Sequence, residues 1–434
     1  MSRGSTRNRN GRPARHGCAT SARTPVRHLR WHRCVIVVGL VAALTAGACS
    51  GGGDEGVSGP SSTGTGSSTD TTPVEPQVFD ADDPGFYEAP AQIPAGRHGD
   101  LIRTQPLENA PDGVTWQRIM YLSETLAGEP TVVTGVVTLP DAAPPADGWP
   151  LFGHAHGSTG LADACAPSVS LTADRTYSIE ISLLSAWVLQ RGIAVVSTDY
   201  EGLGGPGRHP FLVGESEARS VLDGILAARQ LHGVTFADAV GIIGYSQGGH
   251  AAAWANQIAP HYTPDLAIIG TLAGAPATEV DAMVAGDETI ATLMVAALSA
   301  TGPPYDPDSI LTDAGRNALE QIDTVCQDAY TFTGDLLRHD VSTTEPWASG
   351  VAAQVPGYEP GAGPVLIVHS QADASVPVEA SEAFQRRLCA AGQVVERRVL
   401  PDGDHVTAAI AAYEQGLDWI TELATGGEPR STCP

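Results

Sequence analysis

The chain has 434 residues, 42% of them hydrophobic and 17% charged, with a formal net charge of −25. That is enough apolar material for one large domain or two ordinary ones. Acidity this strong argues against nucleic acid as a partner, since phosphate binding needs a basic face, and against electrostatic docking on anionic lipid.

The basic residues are unevenly placed. All 24 are Arg, and nine of them lie within residues 1–48, a segment without Asp or Glu. The remainder then carries 15 Arg against 49 acids, a net of −34. Residues 1–48 read as a signal peptide: an Arg-rich start precedes the apolar run VIVVGLVAALTAGA at 35–48. Fourteen apolar residues suit a signal-peptide core better than a membrane span, which needs about 20. Ala46, Gly47 and Ala48 before Cys49 resemble a bacterial lipobox, in which the cysteine becomes the acylated first residue. The position three before the cysteine is Ala46, where such motifs usually have Leu. Lipidation at Cys49, plain secretion and a retained anchor are the three expectations, in that order. Beyond Cys18, Cys34 and Cys49, four cysteines remain: Cys165, Cys326, Cys389 and Cys433. An even number in an exported domain predicts two disulfides, with three connectivities open. No close Cys/His spacing suggests zinc, and the reading requires no cofactor.

Residues 49–79 are dominated by Gly, Ser, Thr and Pro and read as a flexible tether. The folded domain is expected over 80–434. Segments 116–124 and 130–140 are strand-like, rich in β-branched residues and bounded by Pro and Gly. WPLFGHAHG (149–157) reads as a third strand. A helix is expected over 178–192, with Gly192 to end it. There follow a buried strand at 193–200, a helix at 217–231, a strand at 239–245 and a helix at 249–259. Strands at 266–276 and 364–373, a helix at 379–392, a strand at 394–401 and a closing helix at 408–424 complete the order. Alternating strands and helices predict an α/β fold with a mostly parallel sheet covered on both faces. Residues 277–350 break the alternation with helix-like pieces and no convincing strand. They read as a helical lid or cap insertion at the sheet's C-terminal edge.

GYSQGGH (244–250) contains G-x-S-x-G. The pattern alone is weak in a chain with 49 Gly. Its context is stronger, because Ser246 follows a buried strand and precedes a helix, as in a nucleophile elbow. A serine hydroxyl needs a general base, and the imidazolium that forms needs a carboxylate. Asp373 falls at the end of strand 364–373, and His405 in the loop before the closing helix. Ser, acid and His thus occur in the chain order of this architecture. Asp402 and Asp404 compete for the acid role but are too near His405 in sequence to meet its ring. Asp199 reads as structural, holding the loop that follows it. His369 reads as a packed core residue, and His154 and His156 as flanking the first loop. An oxyanion hole needs two N–H donors. One is expected from Gln247, the other from Gly157 or Ser158 in H-G-S-T-G.

GHAHGSTGLADACAPS, STDYEGLGGPGRHPFLVGESEARSVLD, GYSQGGH, the Asp373 loop and GDHV together resemble the secretory lipase family of α/β-hydrolases. The family includes fungal lipase A-type enzymes and many actinobacterial lipases. The resemblance covers roughly residues 80–430, because several long motifs agree in order. It implies a Ser246–Asp373–His405 triad, a lid matching 277–350, and a disulfide between Cys165 and Cys326. Cys389 with Cys433 follows as the second bridge. The fungal relatives carry an acidic residue in the oxyanion loop, where this chain reads H-G-S-T-G.

The expectation is an exported serine hydrolase of carboxylic esters, most of all lipid esters, with a possible N-terminal lipid anchor in the membrane. Two alternatives stand beside it. The same fold and triad serve a peptidase acting on N-terminal residues, and a lipoprotein binding module would keep the fold without activity.

Overall fold

The structure is a computed structural model that describes residues 75–434, apart from residue 82 and residues 173–175. The expected signal peptide and lipid site at Cys49, and most of the expected tether, lie outside the described residues. A ten-stranded sheet runs in the order β1-β2-β3-β4-β6-β5-β7-β8-β9-β10. Its first part is Gln77–Val78 (β1), Leu101–Leu107 (β2), Val114–Glu124 (β3) and Pro130–Pro140 (β4). β2, β3 and β4 pair antiparallel, with β4 antiparallel to Ala194–Thr198 (β6). From β6 onward every pairing is parallel, through Trp149–Ala155 (β5), Phe236–Tyr245 (β7), Ala267–Gly274 (β8), Val365–Ser370 (β9) and Val395–Leu400 (β10). β5, β6 and β9 are buried along almost their whole length. This is why their sequences are near-continuous apolar runs: both faces of a parallel sheet are covered.

Helices cover the two faces. Ile179–Arg191 (α2) and Thr407–Ala424 (α10) share a core with β7 and β9 through Leu184, Trp187, Val188, Tyr413 and Leu417. Gly214–Ala228 (α3) and Gln247–Tyr262 (α4) pack on the other side through Val221, Ile225, Ala251 and Ala255. Gly192, at φ 60°, ends α2 in the left-handed conformation expected of a terminal glycine.

Three differences from the sequence reading are small and have physical causes. The fold begins before residue 80, since Gln77 and Val78 pair with Arg103 and Thr104, and Phe79 donates its N–H to the Thr104 carbonyl at 2.8 Å. A two-residue strand has no period to detect. β2, LIRTQPL, escapes detection because Arg103 and Pro106 interrupt its alternation. The four-residue helix Pro167–Ser170 (α1) is too short to show helical spacing.

Between β8 and β9 lie Val280–Gly286 (α5), Glu288–Ala300 (α6), Asp313–Ile322 (α7) and Trp347–Ala352 (α8). Extended pairing within this stretch is confined, among the described residues, to one isolated bridge between Leu311 and Leu337. The insertion has its own apolar core, in which Met294, Leu298, Ile310, Trp347 and Val351 pack with Phe211 and Leu212. A disulfide joins Cys165 to Cys326, tying the insertion to the loop after β5, and another joins Cys389, in Val378–Ala390 (α9), to Cys433.

Candidate active site

The chain passes from β5 to β6 on one side and then to β7 on the other. Such a reversal opens a crevice at the carboxyl ends of the two inner strands. Both critical loops emerge there: residues 156–160 after β5, and Ser246 after β7.

Ser246 adopts φ 59° and ψ −120°, a backbone conformation that non-glycine residues seldom hold. Its neighbours show why the turn needs glycine. A Cβ on Gly244 would lie 2.0 Å from the Gly248 carbonyl oxygen, and one on Gly248 would lie 1.9 Å from that of Ala155. The sharp turn aims the serine away from the sheet and starts α4 directly behind it. The free N–H groups and positive dipole end of α4 face the same point.

His405 joins the two other expected groups. Its Nε2 lies 2.9 Å from Ser246 Oγ, and its Nδ1 lies 2.6 Å from Asp373 Oδ2. Asp373 is fully buried at its side chain, whereas His405 retains 18% exposure. The second carboxylate oxygen of Asp373 accepts the N–H groups of Ser375 and Val376, both at 2.9 Å. Asp404 faces elsewhere: it accepts from Thr407 N–H at 2.8 Å and from the Thr407 hydroxyl at 2.7 Å, capping α10. Those bonds hold its carboxyl below the usual range. The Asp402 carbonyl, with that of Gly403, receives the Ser370 hydroxyl.

His369 is buried within β9, as expected of a core residue, but it also touches the acid. Its Nε2 donates to the Val376 carbonyl at 3.0 Å and lies 3.3 Å from Asp373 Oδ2. Burial pushes its imidazole down, so it stays neutral.

The two candidate donors in the loop after β5 have different surroundings. Gly157 N–H points to Glu180, 3.2 Å from Oε1 and 3.4 Å from Oε2. Glu180 in turn receives His154 Nε2–H at 3.0 Å and the Tyr413 hydroxyl at 2.8 Å. Burial alone would push this carboxyl up, but hydrogen bonding and charge from His154, aided by His156 and Tyr413, hold it below its ordinary value. The Gly157 amide is therefore engaged by an ionised carboxylate. Ser158, by contrast, lines the cavity beside Ser246 and Gln247.

His154 and His156 are buried and absent from that cavity lining. His156 donates from Nδ1 to the Gly157 carbonyl at 2.6 Å and packs its ring against Tyr200. Asp199 is structural, though it does more than hold its own loop. It accepts the Ser168 N–H at 2.9 Å, the Ser168 hydroxyl and the Thr134 hydroxyl, anchoring α1 to β4.

A cavity of about 830 Å³ opens over Ser246 and His405. Phe211, Leu212, Met283, Ile290 and Val376 supply apolar walls, and Glu279, Asp287 and Glu379 supply carboxylates. This size and mixture suit a small organic substrate. Among the described residues, no group of three or more His, Cys, Asp or Glu is arranged to hold a metal ion.

The model of a family described as "Secretory lipase" matches residues 169–345. Lipase A of Moesziomyces aphidis is 26% identical over 396 residues, covering 81% of this chain and 82% of the relative. Over residues 169–345 the chain is similar to the secretory lipase family, and the relative it matches along most of its length is a lipase. The chain is thus an ester-hydrolysing enzyme of α/β-hydrolase fold. The crystal structure of Candida antarctica lipase A in its closed state is similar at a TM-score of 0.68 and 25% identity, over 81% of this chain and 88% of that one. A protein of Mycobacterium tuberculosis (strain CDC 1551 / Oshkosh) described as a "probable inactive lipase" is 29% identical, over 80% of this chain and 83% of the relative.

Sequence reading assigned no role at the site to Glu180, Glu217, His209, His250 or Tyr413. Glu180, Glu217, His209 and Tyr413 reach it from elements remote in sequence from Ser246, whereas His250 closes GYSQGGH itself and meets Glu217 only once α3 and α4 pack. The one available signal was Glu217, a charged residue in an otherwise apolar helical stripe.

Proposed function

We propose that the protein is an exported serine hydrolase of carboxylic esters with aliphatic acyl groups, working through Ser246, His405 and Asp373. The observation that carries the reading is His405, which lies within hydrogen-bonding distance of the serine on one ring nitrogen and the acid on the other. Ser246 Oγ–H donates to His405 Nε2, while Nδ1–H donates to Asp373. As Oγ attacks the ester carbonyl carbon, its proton passes to Nε2, and the buried carboxylate stabilises the imidazolium. Negative charge collects on the former carbonyl oxygen. The N–H of Gln247, at the start of α4, is one donor to it. Ser158 N–H is the second, a choice supported by the engagement of Gly157 N–H with Glu180. Collapse of the intermediate breaks the bond to the alcohol, which leaves with the proton from His405. Water then adds to the acyl-enzyme with His405 again taking the proton, and the carboxylic acid departs.

The apolar walls support an acyl chain as the group bound. α5 and α6 of the insertion contribute Ala282, Met283 and Ile290 to them, which supports the insertion as a lid over the substrate. The family's description as secretory supports export, and Cys49 with the Gly/Ser/Thr-rich stretch after it supports a lipid-anchored, tethered form at the cell surface.

A series of nitrophenyl esters from acetyl to palmitoyl, with leucine and alanine nitroanilides alongside, tests the reading. Ser246-dependent ester hydrolysis with anilides at least about 100-fold slower is the expected result. Turnover that persists at long chains and rises beyond the solubility limit marks a lipase; turnover confined to short chains marks a carboxylesterase. Because Glu279, Asp287 and Glu379 line the cavity and could hold a substrate amine, anilides turned over faster than every ester would overturn the ester assignment for a peptidase.

A further inference from the structure

Beneath the nucleophile turn lies a polar network that the reaction does not use directly. Glu217, in the first turn of α3, has a fully buried carboxylate. Its Oε1 accepts the Leu212 N–H at 2.9 Å and the Gln247 side-chain amide at 2.8 Å. Its Oε2 faces His250 Nδ1 at 3.0 Å. A carboxylate can only accept, so it fixes which end of the Gln247 amide is nitrogen.

The other hydrogen of that amide goes to His209. Burial pushes the His209 imidazole down to about 4, so the ring is neutral. Its Nδ1–H donates to the Glu201 carbonyl at 2.9 Å, leaving Nε2 to accept from Gln247 Nε2 at 2.8 Å. Both hydrogens of the amide nitrogen are therefore held by buried acceptors. His250, one turn along α4, directs Nε2 to the Gln354 carbonyl at 2.8 Å, just beyond α8.

Gln247 also lines the cavity beside Ser246, and in the proposed reaction its main-chain N–H is the first oxyanion donor. Leu212, the other group held by Glu217 Oε1, lines the substrate cavity and has a left-handed φ of 54°. One buried carboxylate thus ties the donor residue, a cavity wall and α4 to one another. A buried charge is retained at high cost unless its partners repay the lost solvation. Here Oε1 of Glu217 is bonded to two residues that line the cavity, Leu212 and Gln247, and Oε2 faces His250 on α4.

We propose that Glu217 is a positioning residue for ester hydrolysis, acting through the side chain of Gln247 to aim the Gln247 N–H at the developing oxyanion. The proposal rests on the triad reading above. A donor displaced by a fraction of an ångström still permits substrate binding but stabilises the transition state less. The loss then falls on kcat and spares KM.

The test uses the full chain and nitrophenyl butyrate, with wild type, Gln247→Leu, Glu217→Gln and the double variant. Gln247→Leu keeps the main-chain N–H and the contact of Glu217 with His250. Its expected kcat is about 10- to 100-fold below wild type, with KM within about threefold. Glu217→Gln should lose at least as much, and the double variant should lose no more than Glu217→Gln alone, since both act through one group. Should Glu217→Gln fail to fold, Gln247→Leu decides. A folded Gln247→Leu with kcat within twofold of wild type overturns the proposal, as do single losses that multiply in the double variant. Ser246→Ala in the same assay separates the two failures. Activity surviving there overturns the triad reading and this assignment with it, whereas an inert Ser246→Ala beside a fully active Gln247→Leu overturns this assignment alone.

Discussion

Ser246→Ala should lower kcat on short nitrophenyl esters by about 10⁴- to 10⁶-fold while leaving the melting temperature within a few degrees of wild type. The rate falls because the covalent route of the proposed reaction begins at Oγ. Stability changes little because the fold depends on backbone contacts at this turn, not on the hydroxyl. Ser246 N–H donates to the Gly274 carbonyl at 2.9 Å, and its own carbonyl accepts the His250 N–H at 3.1 Å. Alanine keeps both bonds and shares the strained φ of 59°. Residual hydrolysis above the uncatalysed rate is still expected, because binding and the oxyanion donors survive the change. Steady-state kinetics with a thermal melt on the same sample check both halves.

Asp373→Asn is the second large effect. It should reduce kcat by about 10⁴-fold, or about 5.5 kcal/mol of transition-state stabilisation, with a much smaller change in KM. The side chain is fully buried, and His405 Nδ1 lies 2.6 Å from Oδ2. An amide there can present N–H to Nδ1, favouring the tautomer in which Nε2 carries the proton and cannot accept one from Ser246. It also removes the charge that stabilises the imidazolium. Ser375 and Val376 N–H groups keep an acceptor in the amide oxygen, so the loop has reason to hold its shape. Asp404→Asn serves as the contrast: Asp404 caps α10 at the surface, and kcat should stay within about threefold of wild type. A large loss at Asp404 with little at Asp373 would reverse the assignment of the acid.

Most of the framework was legible because it is written in local patterns. The buried strands at 194–198, 239–245 and 365–370 are short apolar runs, and each following helix begins where the turn chemistry changes. Ser246 was legible because sterics dictate its neighbours: no side chain fits where Gly244 and Gly248 meet backbone oxygens. Asp373 and His405 were legible through their place after successive strands, which fixes the side of the sheet on which they emerge. β1 and β2 were not, since a two-residue strand and one interrupted by Arg103 and Pro106 lack alternation. The supporting polar groups were hidden for a different reason. Glu217 and Gln247 are thirty residues apart and meet only once α3 and α4 pack. Glu180 sits on the first turn of α2, where an acid reads as ordinary helix-dipole compensation. Its contact with Gly157 exists only in three dimensions, and this contact supports Ser158 over Gly157 as the proposed second oxyanion donor.

The central claim is that Ser246 is a nucleophile activated by His405. The most direct measurement is covalent capture: a small fluorophosphonate is added to the folded protein, and the modified peptide is identified by mass spectrometry. The account predicts one adduct per chain, on Ser246, formed at a rate that falls by at least about 100-fold in His405→Ala. Folded protein that gains no adduct, or gains one on another residue with Ser246 untouched, would contradict it.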